Sequence, residues 1–141
     1  MSPFRCVALA LTLTLAAGAG HAETLSFKTK LEGSKEKIPN NVPATGTATL
    51  EFDTISKVAH YTINYEGLSS PPIKVHLHGP AEPGTTKPAV LDEHTDHATS
   101  PVRGTVTLTD TQIAELEAGK LYVNVHSVNY PDGEIRGWLS K

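Results

Sequence analysis

The stretch "IKVHLHG" (73–79) places His76 and His78 two residues apart in a run that otherwise reads as a buried strand. A second stretch, "LYVNVHS" (121–127), carries His126 in a similar frame. Side chains alternate faces along a β-strand, so residues i and i+2 share a face about 6.5–7 Å apart. In the first stretch Val75 and Leu77 take the core face, which leaves His76 and His78 together on the other. In the second, Leu121, Val123 and Val125 point inward, and Tyr122, Asn124 and His126 point outward. If the two strands are neighbours in one sheet, three imidazoles meet on one outer surface. Neutral imidazole suits zinc, copper, nickel and iron(II). Met1 and Cys6 are the only sulfur-bearing residues, and both lie in the N-terminal leader discussed below. A soft-ligand copper(I) cage is therefore excluded. Three histidines with an open position favour copper(II) or zinc, and copper heads the divalent affinity order. The H-x-H spacing alone is a weak signal, and the third histidine at matching parity strengthens it.

A blander reading competes with this one. Histidines on the solvent face of a strand are often simply hydrated, and His60 also points outward with nothing to mark it as a ligand. "DEHTDH" (92–97) is a second cluster, in which His94 and His97 with Asp92, Glu93 and Asp96 could form a hard or borderline metal site. It could also fold over the three-histidine face as a source of a fourth ligand. A solvated acidic loop accounts for it at least as well. "NYPDGE" reads as a turn with Gly133 at its left-handed position. Pairing Tyr130 with Glu134 would set His126 opposite Trp138 and Val125 opposite Leu139. Arg136 and Trp138 would then share the histidine face, with Arg136 paired to an acid such as Glu134 or Glu51. No catalytic residue is assigned. A Gly-x-Ser-x-Gly elbow is absent, and "EGSKEK" lacks the strand and spacing of a phosphate loop.

The elements that must position these groups follow from the rest of the chain. Residues 1–22 read as a signal peptide: Arg5, an apolar run over 7–17, and small residues Gly20 and Ala22 before a cleavage point ahead of Glu23. That run is shorter than the roughly 20 residues a membrane span needs. The expected location is periplasmic or secreted, and residues 23–141 form one domain without a disulfide. Removing Arg5 from the 12 basic side chains leaves 11 against 15 acidic ones, a net charge of −4. No basic run appears, which argues against nucleic acid and anionic membrane as partners and suits a cation. The outward histidine patch is also compatible with a subunit contact, and so with a homodimer.

Short alternating runs separated by polar turns predict an all-β architecture. "TLSFKTKL", "TGTATLEFD", "KVAHYTINY", "IKVHLHG" and "VRGTVTLT" are strands, the second and third joined as a hairpin near 53–56. "EGSKEKIPNNVPATG" reads as a polar, Pro-rich connection. The segment 80–101 is long for a structureless loop and has room for a short strand at "AVL". In "LTDTQIAELEAGK", Thr109 and Gln112 match a capping box and Gly119 a stop, which predicts one short helix. "LYVNVHS" and "GEIRGWL" close the chain as a hairpin.

Two segments, "VHLHGPAEPG" and "GTVTLTDTQIAELEAGKLYVNVHSVNYPDGEIRGWL", resemble the CHRD domain, named for repeats in chordin. "KIPNNVPATGTATLEFD" is similar to that family's opening, and "YVNVHS…P-x-G-E-I-R-G" is the most specific part. "EKIPN" departs from the family's Glu-Val-Pro-Pro run, a change expected to affect only a loop. The resemblance implies a Greek-key antiparallel β-sandwich or barrel of about eight strands, close in plan to copper–zinc superoxide dismutase. In that enzyme an H-x-H strand and a later strand histidine bind copper, and His76, His78 and His126 resemble them. The dismutase's bridging histidine, zinc-site run and disulfide have no clear counterpart. The leading expectation is an exported copper-binding protein. A dismutase-like redox enzyme and a metal-free extracellular interaction module stay open beside it, since a fold does not fix a function.

Overall fold

The computed structural model describes residues 22–79, 89–94 and 98–141, with the side chains of 89 and 92–94 left out. Eight strands form a single antiparallel sheet: β1 (Thr24–Glu32), β2 (Thr45–Asp53), β3 (Val58–Glu66), β4 (Pro72–His78), β5 (Ala89–His94), β6 (Val102–Thr107), β7 (Tyr122–Ser127) and β8 (Ile135–Trp138). Their spatial order is β5-β4-β7-β8-β1-β2-β3-β6. The two outer strands, β5 and β6, are consecutive in the chain, so the sheet curls into a nearly closed barrel. The all-β Greek-key expectation with one short helix holds, and "AVL" does begin a strand inside the long connection.

Alternation explains the core. Phe27 and Leu31 from β1, Leu50 and Phe52 from β2, Ile63 from β3, Val75 and Leu77 from β4, and Val123 and Val125 from β7 are all buried. Each such side chain contributes about 1.5–3 kcal/mol by leaving water. The β2–β3 hairpin turns where expected, with Asp53 Oδ1 accepting from the amides of Ile55 and Ser56 at 3.1 and 2.6 Å. The one α-helix among the described residues, α1 (Asp110–Glu117), opens on the expected capping box of Thr109 and Gln112. It closes with the amides of Gly119 and Lys120 donating to Leu116 and Glu115, and Leu116 anchors it to the core.

The β1–β8 seam is the sparsest junction. It is marked by Glu32 opposite Arg136 and a bridge between Lys28 and Ser140. Here the strands press together at Gly137, where an added Cβ would lie 2.3 Å from the Lys30 carbonyl oxygen. Backbone cannot yield as a side chain does. Gly137→Ala is therefore expected to destabilise the domain by about 1–3 kcal/mol, read as a lower denaturation midpoint at unchanged m-value. A midpoint equal to that of the unaltered protein would show that the seam is slack.

Candidate metal centre

Strand β7 lies between β4 and β8, so the two histidine strands are neighbours. The registers set Lys74 opposite His126, His76 opposite Asn124, and His78 opposite Tyr122. On the far side of β7, Asn124 faces Arg136 and Tyr122 faces Trp138. Parity thus brings His76, His78 and His126 onto one face, as expected. One ligand nitrogen from each lies within 4.8 Å of the others. The His76 ring meets those of His78 and His126 edge-on, with centroids 4.8 and 4.6 Å apart.

Three expectations need correction. The first is the hairpin register. Val125 pairs with Ile135 and not with Leu139, so Tyr122 and not His126 sits opposite Trp138. The cause is a second turn: Tyr130 folds back on Ser127 through backbone hydrogen bonds in both directions, and the next amide to reach β7 is that of Glu134, donating to Val125. The slip is even in residues, so Arg136 and Trp138 keep the histidine face.

The second correction concerns solvent. The histidine face is not an open outer surface. Tyr122, Asn124 and Arg136 are 1–2% exposed, His78 5% and His126 7%. The connection after β1, read as a polar loop, is a strap laid over this face. It starts with a 3₁₀ turn at Gly33–Lys35. Asn40 staples it: its amide N–H donates to Gly33, and its side-chain NH₂ donates to the Glu134 carbonyl at 3.1 Å. The departure from the family's opening therefore falls in a segment that builds the site. Between strap, floor and the turn after β7 lies a bay of about 450 Å³.

The third concerns the partner of Arg136. It pairs with Glu36 of the strap, Nη2 to Oε2 at 2.9 Å, and both are buried. Glu134 instead accepts from the Ser69 amide, and Glu51 from Ser26. The Arg136 guanidinium also lies over the Tyr122 ring, 4.5 Å from its centroid, an arrangement that favours a cation. Burial pushes the Glu36 carboxyl above its ordinary range; Arg136 opposes this, and the Asn124 side chain adds the weakest hydrogen bond. Gly133, at φ +125°, lets the carboxylate in: a Cβ there would sit 2.6 Å from Oε1.

His126 is held at both of its ring nitrogens. Its Nδ1 is 2.9 Å from the Pro131 carbonyl oxygen, and its Nε2 is 2.9 Å from Asn124 Oδ1. Burial is the largest cause lowering its pKa to about 4, with His76, His78 and Lys74 adding to it and the Pro131 hydrogen bond opposing. The ring is thus a free base at neutral pH, the form that binds a metal. The Pro131 carbonyl oxygen can only accept, so with the ring proton on Nδ1 this contact is the kind that orients an imidazole. His78 stacks on Tyr122 at 5.1 Å, and Tyr122 is 5.5 Å from Trp138. His60 is exposed on β3, away from the bay. The side chains of Asp92, Glu93 and His94, and all of Asp96 and His97, lie outside the described residues.

Glu36 went unread in the sequence because no local pattern links it to β8. Tyr122 and Asn124 were visible by parity, but their burial was not.

An antiparallel eight-stranded barrel with a histidine-lined bay defines the class of protein. Within that class the chain belongs to the CHRD domain family, whose model matches residues 27–139. No curated protein and no solved structure matches it. CHRD domains occur in extracellular proteins, and among the described residues no helix is long and apolar enough to cross a membrane.

Proposed function

We propose that this chain is an exported copper-binding protein that sequesters copper or hands it on, with His76, His78 and His126 as ligands and zinc as the competing ion. The observation that carries the reading is the convergence of three imidazole nitrogens within 4.8 Å at a bay large enough to admit an ion. Copper is favoured over zinc by its place in the affinity order, and imidazole suits both. The neutral His126 ring supports the reading, because no proton has to leave it at neutral pH before a metal binds.

The test is a copper(II) titration of protein beginning at Glu23, followed by fluorescence and electron paramagnetic resonance. Trp138 is the only tryptophan, so the optical signal has one source. The expected result is quenching that saturates near one equivalent, with nitrogen hyperfine structure that is lost in His126→Ala. Weak binding indifferent to that substitution would return the three histidines to a structural role. A zinc competition at equal concentrations then ranks the two ions.

A further inference from the structure

We infer that Asn124 is a fourth metal ligand, its side-chain oxygen completing a three-nitrogen, one-oxygen set with His76, His78 and His126. The inference rests on the metal reading above and adds a group that parity placed on the histidine face without marking it as a ligand.

It starts from the surroundings of His126. Nδ1 faces the Pro131 carbonyl oxygen and Nε2 faces Asn124 Oδ1, each at 2.9 Å. Both oxygens can only accept a hydrogen bond, and a neutral imidazole carries one N–H. Whichever nitrogen holds the proton, the other directs a lone pair at an oxygen lone pair. The carbonyl of Pro131 is fixed by the backbone of the turn, so the proton belongs on Nδ1. The facing lone pairs are then Nε2 and Asn124 Oδ1.

Turning the amide over would not relieve this. The Asn124 side chain has a weak lowering effect on the pKa of the Glu36 carboxylate, which places its NH₂ on that side, and the carboxylate is held in place by Arg136. A reversed amide would point its oxygen at that carboxylate. The strap therefore dictates which end of the amide faces the histidines. Two lone pairs held this close inside a buried face call for a cation beside them. Two ligands at about 2.0 Å from one ion and at right angles are about 2.8 Å apart, whereas tetrahedral ligands are about 3.3 Å apart. The observed 2.9 Å is the ordinary N···O hydrogen-bond length and also leaves room for one ion to be shared at right angles. Asn124 also stands directly opposite His76 across the β4–β7 ladder and is 1% exposed, so its oxygen lies among the imidazoles and away from bulk water.

The experiment compares copper(II) affinity, electron paramagnetic resonance and water-proton relaxivity for the unaltered protein, Asn124→Ala and Asn124→Asp. Asn124→Ala is expected to weaken copper(II) at least about tenfold and to raise relaxivity, because a water takes the vacated position. Asn124→Asp is expected to retain tight binding with altered g values, since a charged oxygen replaces a neutral one. Unchanged affinity and relaxivity in Asn124→Ala, beside a histidine-dependent signal in the unaltered protein, would overturn the fourth ligand and leave the three-histidine site standing. Absence of binding in the unaltered protein would overturn both. Should Asn124→Ala fail to fold, a spectrum of Asn124→Asp identical to that of the unaltered protein would refute the assignment on its own.

Discussion

Glu36→Gln is expected to cost about 3–5 kcal/mol of folding stability, the largest effect of any single change in the bay. The substitution keeps the shape of the side chain and removes its charge. Arg136 is then left buried with a charge it cannot discard, because a guanidinium does not deprotonate in proteins. Nε and Nη1 of Arg136 already lack hydrogen-bond partners, so the loss of Glu36 is not made good nearby. The reciprocal change, Arg136→Met, should cost less at low pH. Burial already raises the Glu36 pKa, and without Arg136 to oppose it the carboxyl takes up a proton and becomes neutral. A group whose folded pKa is raised adds stability below its unfolded pKa and loses it as pH rises through the folded one. The penalty for Arg136→Met should therefore grow with pH, while that for Glu36→Gln should not. Urea denaturation of both variants at pH 5 and pH 8 reads the difference. Equal and pH-independent penalties would mean that the pair acts through packing alone.

The metal-free protein is expected to lose about 3 kcal/mol of stability through His126 alone as pH falls from 6.5 to 4. Burial depresses the folded pKa from the ordinary imidazole value of 6.5 to about 4. Between those values the unfolded chain binds a proton that the folded chain refuses, so stability falls with falling pH at about 1.4 kcal/mol per pH unit. Below pH 4 the slope vanishes. Glu36 works in the opposite sense over part of the same range, so the quantity to measure is the difference between the unaltered protein and His126→Gln, both under chelator. That difference should shrink by about 3 kcal/mol across the window. A difference flat in pH would place the His126 proton elsewhere.

Much of the scaffold was readable because it depends on local pattern. Alternation in 73–79 and 121–127 put His76, His78 and His126 on one face, and those strands do pair directly. Thr109 and Gln112 marked the helix start, and the β2–β3 turn lay where its polar residues stood. Alternation says which way a side chain points and nothing about what lies above it. The strap over the face is built from Gly33, Glu36 and Asn40, whose partners are one another or residues near the other end of the chain. The β7–β8 register failed for a related reason. A turn inside a turn adds an even number of residues, which preserves parity and leaves no trace in the hydrophobic pattern.

The Asn40–Glu134 hydrogen bond spans 94 positions, and the ion pair between Glu36 and Arg136 joins the same two regions. Contacts this distant in sequence require large loops to close first, and topologies rich in them fold slowly. The roof and floor of the bay therefore meet only once the last strand is in place. Before that, β4 offers a bare pair of imidazoles, and the third arrives with β7. On the metal reading, an incomplete chain can chelate only loosely, and firm retention of the ion becomes a mark of a finished barrel.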